Sequence, residues 1–172
     1  MNSDNVNPDN VKRYVLSVLV ENHTGVLSRV AGLFSRRGYN IDSLTVGETS
    51  NPGKSRMTIV VRGDEYILEQ IEKQLAKLVE VISIRHCNPA RTVMRETALI
   101  KVAAVGEKRL GVIETANIFR ARIVDVAADS LIMEATGSED KITSLIGLLE
   151  PFGIIEMVCT GLTAMSRGAE VL

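Results

Sequence analysis

The sequence predicts an α+β chain of two ferredoxin-like βαββαβ domains, each an antiparallel sheet with its helices on one face. Two observations carry that expectation. Segments with the two-residue period of strands and the 3.6-residue period of helices follow one another in the order βαββαβ, and the whole order then recurs after about 85 residues. Between the two copies, NPARTVMRE breaks the periodicity with a proline and mixed charge. A chain of 172 residues that is 45% hydrophobic can bury two small cores of this kind.

Taken in order, RYVLSVLV at 13–20 alternates and then runs apolar, as a strand does. From Gly25 the apolar residues Val26, Leu27, Val30, Ala31, Leu33 and Phe34 follow helical spacing, and Gly38 supplies a helix stop with Arg36 and Arg37 at the negative dipole end. IDSLTVGE and SRMTIVVRG form a hairpin across ETSNPGKS, whose Asn-Pro-Gly marks the turn. Asp64 opens a second helix with Ile67, Leu68, Ile71, Leu75 and Leu78 on one side, and VEVISIRHC returns as a strand.

In the second copy ETALIKVAA is a strand, and KRLGVIETANIFRA a helix with Leu110, Ile113, Ala116 and Phe119 inward. RIVDVA and SLIMEATG make a hairpin. SEDKITSLIGLLEPFG is a helix capped by Ser138, with Glu139 and Asp140 matching its dipole, and IIEMVCTG closes the unit. The expected division is a flexible N-terminus at 1–11, a first domain at 12–87, a linker at 88–96 and a second domain at 97–172. LSVLV and MTIVV carry more apolar residues than a half-solvated sheet needs, so their outer face requires cover, for which pairing of sheets between chains is one solution.

Twenty basic and twenty-one acidic residues leave a charge of −1, which gives no field to attract DNA or RNA, and 3% aromatic residues leave no base-stacking platform. No run reaches the roughly 20 apolar residues of a membrane span, and no signal peptide is visible, so a cytoplasmic protein is expected. Cys87 and Cys159 lie far apart in apolar strands and read as buried free thiols. With His23 and His86 distant in sequence, no nucleophile and base pair, carboxylate pair or metal set is evident; the catalytic and metal expectations are both none.

The informative stretch is ENHTGVLSRV, where strand gives way to helix. A phosphate loop would need GxxxxGK[ST], and the only glycine there is Gly25. What remains is a helix N-terminus whose free N–H groups suit a small carboxylate, or else a plain turn in which Thr24 caps the helix. Asn40 lies where the helix exits, read as the same end of the fold, and could offer its amide carbonyl to an ammonium group or simply form a turn. Val26, Leu27 and Ile41 could wall an apolar pocket or pack in the core.

LVENHTGVLSRVAGLFSRRGYNIDSLTVG, SRMTIVVRGDE and LEQIEKQLAKLVEVI together closely resemble the ACT domain of the small regulatory subunits of acetolactate synthase (acetohydroxyacid synthase). RETALIKVAA, RIVDVAADSLIMEATG and TGLTAMSRG resemble the C-terminal, ACT-like domain of the same family. The resemblance implies a non-catalytic subunit that activates a large catalytic subunit carrying thiamine diphosphate, Mg and FAD, and that confers feedback inhibition by valine in branched-chain amino-acid synthesis. It further implies a homodimer formed through the ACT domains. L-valine would lie between Asn22, Gly25, Val26 and Leu27 of one chain and Asn40 and Ile41 of the other. Gly25 would let the backbone approach the ligand carboxylate. The second domain has no NxxG before its helix, so no valine is expected there. A free-standing ACT-type amino-acid sensor acting on another partner is the alternative, and a small acylphosphatase-like hydrolase is a third reading.

Overall fold

The computed structural model describes residues 11–172, so the stretch expected to be flexible lies, Val11 apart, outside the described residues. The chain divides into two compact units, one ending at Val93 and taking in Leu162–Leu172, the other Met94–Gly161.

In the first unit the order is β1 (Lys12–Glu21), α1 (Val26–Arg37), β2 (Ile41–Glu48), β3 (Lys54–Gly63), α2 (Glu65–Leu75) and β4 (Val81–His86). The strands form an antiparallel sheet in the order β2-β3-β1-β4, with β2 and β4 at its edges. Leu16 and Val18 of β1 stand in register with Ile59 and Met57 of β3, and these meet the buried stripe Val26, Val30, Leu33 and Phe34 of α1. Gly38 ends α1 at φ 71°, its N–H on the Ser35 carbonyl at 3.2 Å while the Tyr39 N–H takes the Phe34 carbonyl at 3.0 Å. The Asp64 carboxylate accepts from the Ile67 N–H at 2.8 Å, the expected cap of α2.

The second unit repeats the order with β5 (Thr92–Ala103), α3 (Lys108–Ile118), β6 (Arg122–Val126), β7 (Ser130–Gly137), α4 (Glu139–Leu149) and β8 (Ile154–Cys159), in the sheet order β6-β7-β5-β8. Its core joins Ala98, Ile100 and Val102 to Leu131 and Met133 under Val112, Ala116, Ile142 and Leu145. Ser138 caps α4 through the Lys141 N–H at 3.4 Å.

Two side chains depart from expectation here. Leu110, expected inward, is 69% exposed, because Val112 and Ala116 take the core-facing positions and Ile113 and Phe119 border them. The neighbouring Gly111 lies under the Phe152 ring, where a Cβ would come within 2.7 Å of a ring carbon, and that close approach explains a glycine inside α3. Cys159 is exposed rather than buried because β8 is an edge strand whose Ile155, Met157 and Val158 are open as well. Cys87 is buried as expected, and burial pushes its thiol pKa up against the lowering effects of the Ser17 backbone hydrogen bond and of Arg56 and Arg85.

The first sheet is covered on both faces. Opposite α1 and α2, Val15, Ser17, Thr58 and Val60 are buried although no helix lies there. After the second unit the chain comes back as β9 (Thr163–Ser166), burying Leu162 and Ala164. The Ala164 N–H donates to the Thr58 hydroxyl at 3.3 Å, and Arg85 holds the Ser166 hydroxyl and the Val171 carbonyl, each at 2.8 Å. The cover, for which pairing between chains was one solution, is thus supplied in part by this chain itself.

By compactness the stretch Leu162–Leu172, expected in the second domain, groups with the first unit, and residues 88–96, expected as the linker, hold defined structure. They comprise a 3-10 turn at Pro89–Arg91, capped by the Asn88 amide oxygen on the Ala90 N–H at 2.9 Å, and the start of β5, where Thr92 is buried.

Ala164 has no solvent exposure. Ala164→Asp places an unpaired carboxylate there and is expected to cost about 3 kcal/mol or more. Urea unfolding monitored by circular dichroism measures this, against Ala164→Ser as a near-isosteric control.

Candidate effector site

Strand β1 delivers Asn22 to the start of α1, and the β2–β3 hairpin closes over it. The Asn22 N–H donates to the Gly53 carbonyl and its side-chain NH2 to the Pro52 carbonyl, both at 2.9 Å, with the Glu48 carboxylate 3.5 Å from the same nitrogen. The hairpin that pins Asn22 is itself set by local hydrogen bonds. The Asn51 side chain accepts from the Gly53 N–H at 2.9 Å, and the Thr49 hydroxyl donates to the Lys54 carbonyl at 3.1 Å. The Asn22 amide nitrogen is thereby engaged, and its amide oxygen accepts no hydrogen bond among the described residues.

The helix start beside it is bare. Gly25 occupies the cap position at φ 94° and ψ −14°, and no side chain caps α1. Thr24 does not fill the capping role considered for it, because the cap position falls on Gly25. The Val26 N–H makes only a long 3.4 Å bond to the His23 carbonyl, and the first N–H groups of a helix have no intrahelical acceptors. Gly25 is required in the chain by its left-handed backbone. A Cβ there would meet no protein atom within 4 Å, so the space over these amides is open. One turn on, Arg29 is paired with the buried Glu80 carboxylate, and the Glu21 N–H takes the Glu80 carbonyl at 2.9 Å, which ties this turn to the start of β4.

The remaining site residues are differently placed. Val26 is 3% exposed and points into the core, so only its main chain faces the opening, whereas Leu27 is 47% exposed. Asn40 lies beyond the other end of α1. Twelve helical residues at about 1.5 Å each put roughly 18 Å between the two ends. Within one chain, Asn40 and Ile41 therefore cannot join Asn22 and Gly25, contrary to the reading that set them at the same end. At its own end Asn40 mirrors Asn22: its side-chain NH2 donates to the Asp42 carboxylate at 3.1 Å, Asp42 pairs with Arg62 at 2.6 Å, and the amide oxygen is left over. Ile41 is half-buried against the core.

The second unit has a related turn: α3 also starts without a side-chain cap, but its cap residue is Glu107 in right-handed backbone rather than a glycine. Gly106 takes φ 59° just ahead of α3, a counterpart of Gly25 that the sequence pattern did not reveal. Arg109 then folds back, its guanidinium donating to the carbonyls of Ala104 at 3.0 Å, Ala127 at 2.6 Å and Ala128 at 2.7 Å. An internal cation consumes the acceptors at this end of the second unit.

The family model of the acetolactate synthase small-subunit-like ACT domain matches residues 16–83, and that of the small subunit of acetolactate synthase matches 95–168. The chain belongs to the acetolactate synthase small-subunit family. It is 53% identical over 160 residues to a probable acetolactate synthase small subunit of Methanothermobacter thermautotrophicus, covering 92% of this chain and 95% of the relative. It is likewise 53% identical over 157 residues to the acetolactate synthase small subunit of Mycobacterium bovis, covering 91% and 94%. The crystal structure of the acetolactate synthase small subunit from Thermotoga maritima superposes with a TM-score of 0.86 at 43% identity, covering 92% of this chain and 99% of that one. Among the described residues no helix is long and apolar enough to cross a membrane, and no three His, Cys, Asp or Glu side chains gather as a metal site would require.

Arg109→Met removes three charge-assisted hydrogen bonds and is expected to destabilise the protein by about 1.5–3 kcal/mol, measured by urea unfolding.

Proposed function

We propose that this chain is a regulatory subunit of acetolactate synthase: it binds and activates the large catalytic subunit, and it makes that enzyme sensitive to L-valine. Thiamine diphosphate, Mg and FAD belong on this reading to the large subunit. The observation that carries the proposal is the bare start of α1 beside Asn22, in a chain whose two halves both match the small-subunit family.

The ligand chemistry follows from what each atom has left to offer. The free N–H groups and positive dipole end of α1 suit the valine carboxylate. The amide oxygens of Asn22 and Asn40 suit its ammonium, because each amide nitrogen already has an acceptor. Leu27 and Ile41 offer apolar surface to the isopropyl group. Since the two ends of α1 stand about 18 Å apart, the complete site needs two chains. The unpaired outer edge of β2 is suited to a two-fold dimer in which β2 and α1 run antiparallel to their copies, setting Asn40 and Ile41 of one chain beside Gly25 of the other. Valine would then act by binding two states of the dimer with different affinity, a coupling of about 1–3 kcal/mol.

Calorimetric titration of the purified chain with L-valine, with D-valine as control, is expected to show saturable binding of the L-isomer alone. In the complex with the large subunit, Gly25→Asp should abolish inhibition by repelling the carboxylate, while Asn40→Ala should raise the inhibitory valine concentration about tenfold and leave activation intact. Full valine sensitivity in Gly25→Asp would overturn the assigned site. Failure to recover a large thiamine-diphosphate enzyme by affinity capture would favour a free-standing sensor.

A further inference from the structure

On the face of the first sheet that β9 crosses, a cavity of about 450 Å³ opens between β9 and the β2–β3 hairpin, walled by Thr45, Gly47, Arg56, Thr58, Thr163 and Met165. All of these belong to the first unit. Arg56 is half-buried there, and its one hydrogen bond among the described residues is a long 3.5 Å contact to the Ala164 carbonyl. Other arginines of the same unit have carboxylates: Arg29 has Glu80, Arg62 has Asp42 and Arg85 has Glu170. A guanidinium carries five N–H donors in a planar fork, and a partly buried one with a single long bond is short of an anion.

The strand register shows why none is supplied. Arg56 stands between Leu19 on β1 and Gly47 on β2, neither of which has a side chain that can accept a hydrogen bond. A Cβ on Gly47 would meet nothing within 4 Å, so this glycine leaves room beside the guanidinium. Glu48 borders the cavity, but it pairs with Ser55, one residue out of step with Arg56, so its side chain leaves the opposite face of the sheet and lies at Asn22.

We infer that this cavity binds a small oxyanion, a carboxylate or phosphate group held by the Arg56 fork and the surrounding threonine hydroxyls. Because Thr163 and Met165 form one wall, the bound anion also fastens the C-terminal strand β9 to the first sheet. The site lies across the sheet from the bare start of α1 and is independent of the valine site.

The test is a titration of the full chain with sodium phosphate and, separately, sodium acetate at constant ionic strength in chloride. Amide NMR shifts of Thr45, Thr58 and Thr163 are followed together with hydrogen exchange of β9. Saturable shifts with slower exchange of β9 are expected. Response to phosphate alone identifies a phosphorylated ligand, to acetate alone an organic carboxylate, and to both a general oxyanion site. Arg56→Met should weaken binding at least tenfold. Gly47→Asp, which supplies an internal carboxylate opposite Arg56, should abolish it and gives a second reading if Arg56→Met does not fold. Gly25→Asp should leave it unchanged. No saturable shift with either anion, or equal affinity in the wild type and Arg56→Met, overturns the inference.

Discussion

A four-stranded sheet with two helices on one side leaves its other side wet unless something covers it, and the first unit meets that constraint in part with its own C-terminus. Val60 and Ala164 have no solvent exposure, Thr58 and Ser17 almost none, and Thr58 shares a hydrogen bond with the returning strand. Once both faces are dry, the sheet can be held rigidly by its core pairs, and the loops at its ends can be built without contributing to the core. The β2–β3 hairpin is such a loop. It can spend its carbonyls on Asn22 because the strands beneath it are fixed already.

The two units show how one topology surrounds two helix starts with different chemistry. Both helices that follow the first strand are preceded by a glycine of positive φ, Gly25 at 94° and Gly106 at 59°. In the first unit the amides beyond the glycine are left open. In the second, Arg109 places a cation over three carbonyls at the corresponding end. Both starts lack a side-chain cap, and they differ in what stands beside them: Asn22 in the first unit, and in the second a guanidinium tied to three carbonyls. Equal folds therefore do not imply equal sites.

Much of this was readable beforehand, for reasons local to each element. α1 shows its stripe, its Gly38 stop and its terminal arginines within a few residues of one another, and Asp64 and Ser138 announce their helices by residue type. The asparagines and the glycine at the ends of α1 were legible as residues. Their placement was not fully so, because chain proximity hid a separation set by helix length. What escaped depends on partners far away in sequence. The four residues TAMS carry no strand signal of their own, and they become β9 only by pairing with β5, far back in the chain. Leu110 and Cys159 were misplaced because apolar character says that a side chain can be buried, not that anything arrives to bury it. Gly106 was missed because the pattern sought was NxxG, whereas the backbone requirement is a positive φ alone.

The returning strand also bears on how the protein is made. Synthesis runs from β1 onward, so the helices and four strands of the first unit emerge early and can pair at once. Their outer face nevertheless stays open until Leu162–Leu172 has left the ribosome, after the whole second unit. Domains usually complete in the order in which they are synthesised. Here the first to begin is the last to close, and the Thr58 hydroxyl meets the Ala164 N–H only after the intervening unit has been made.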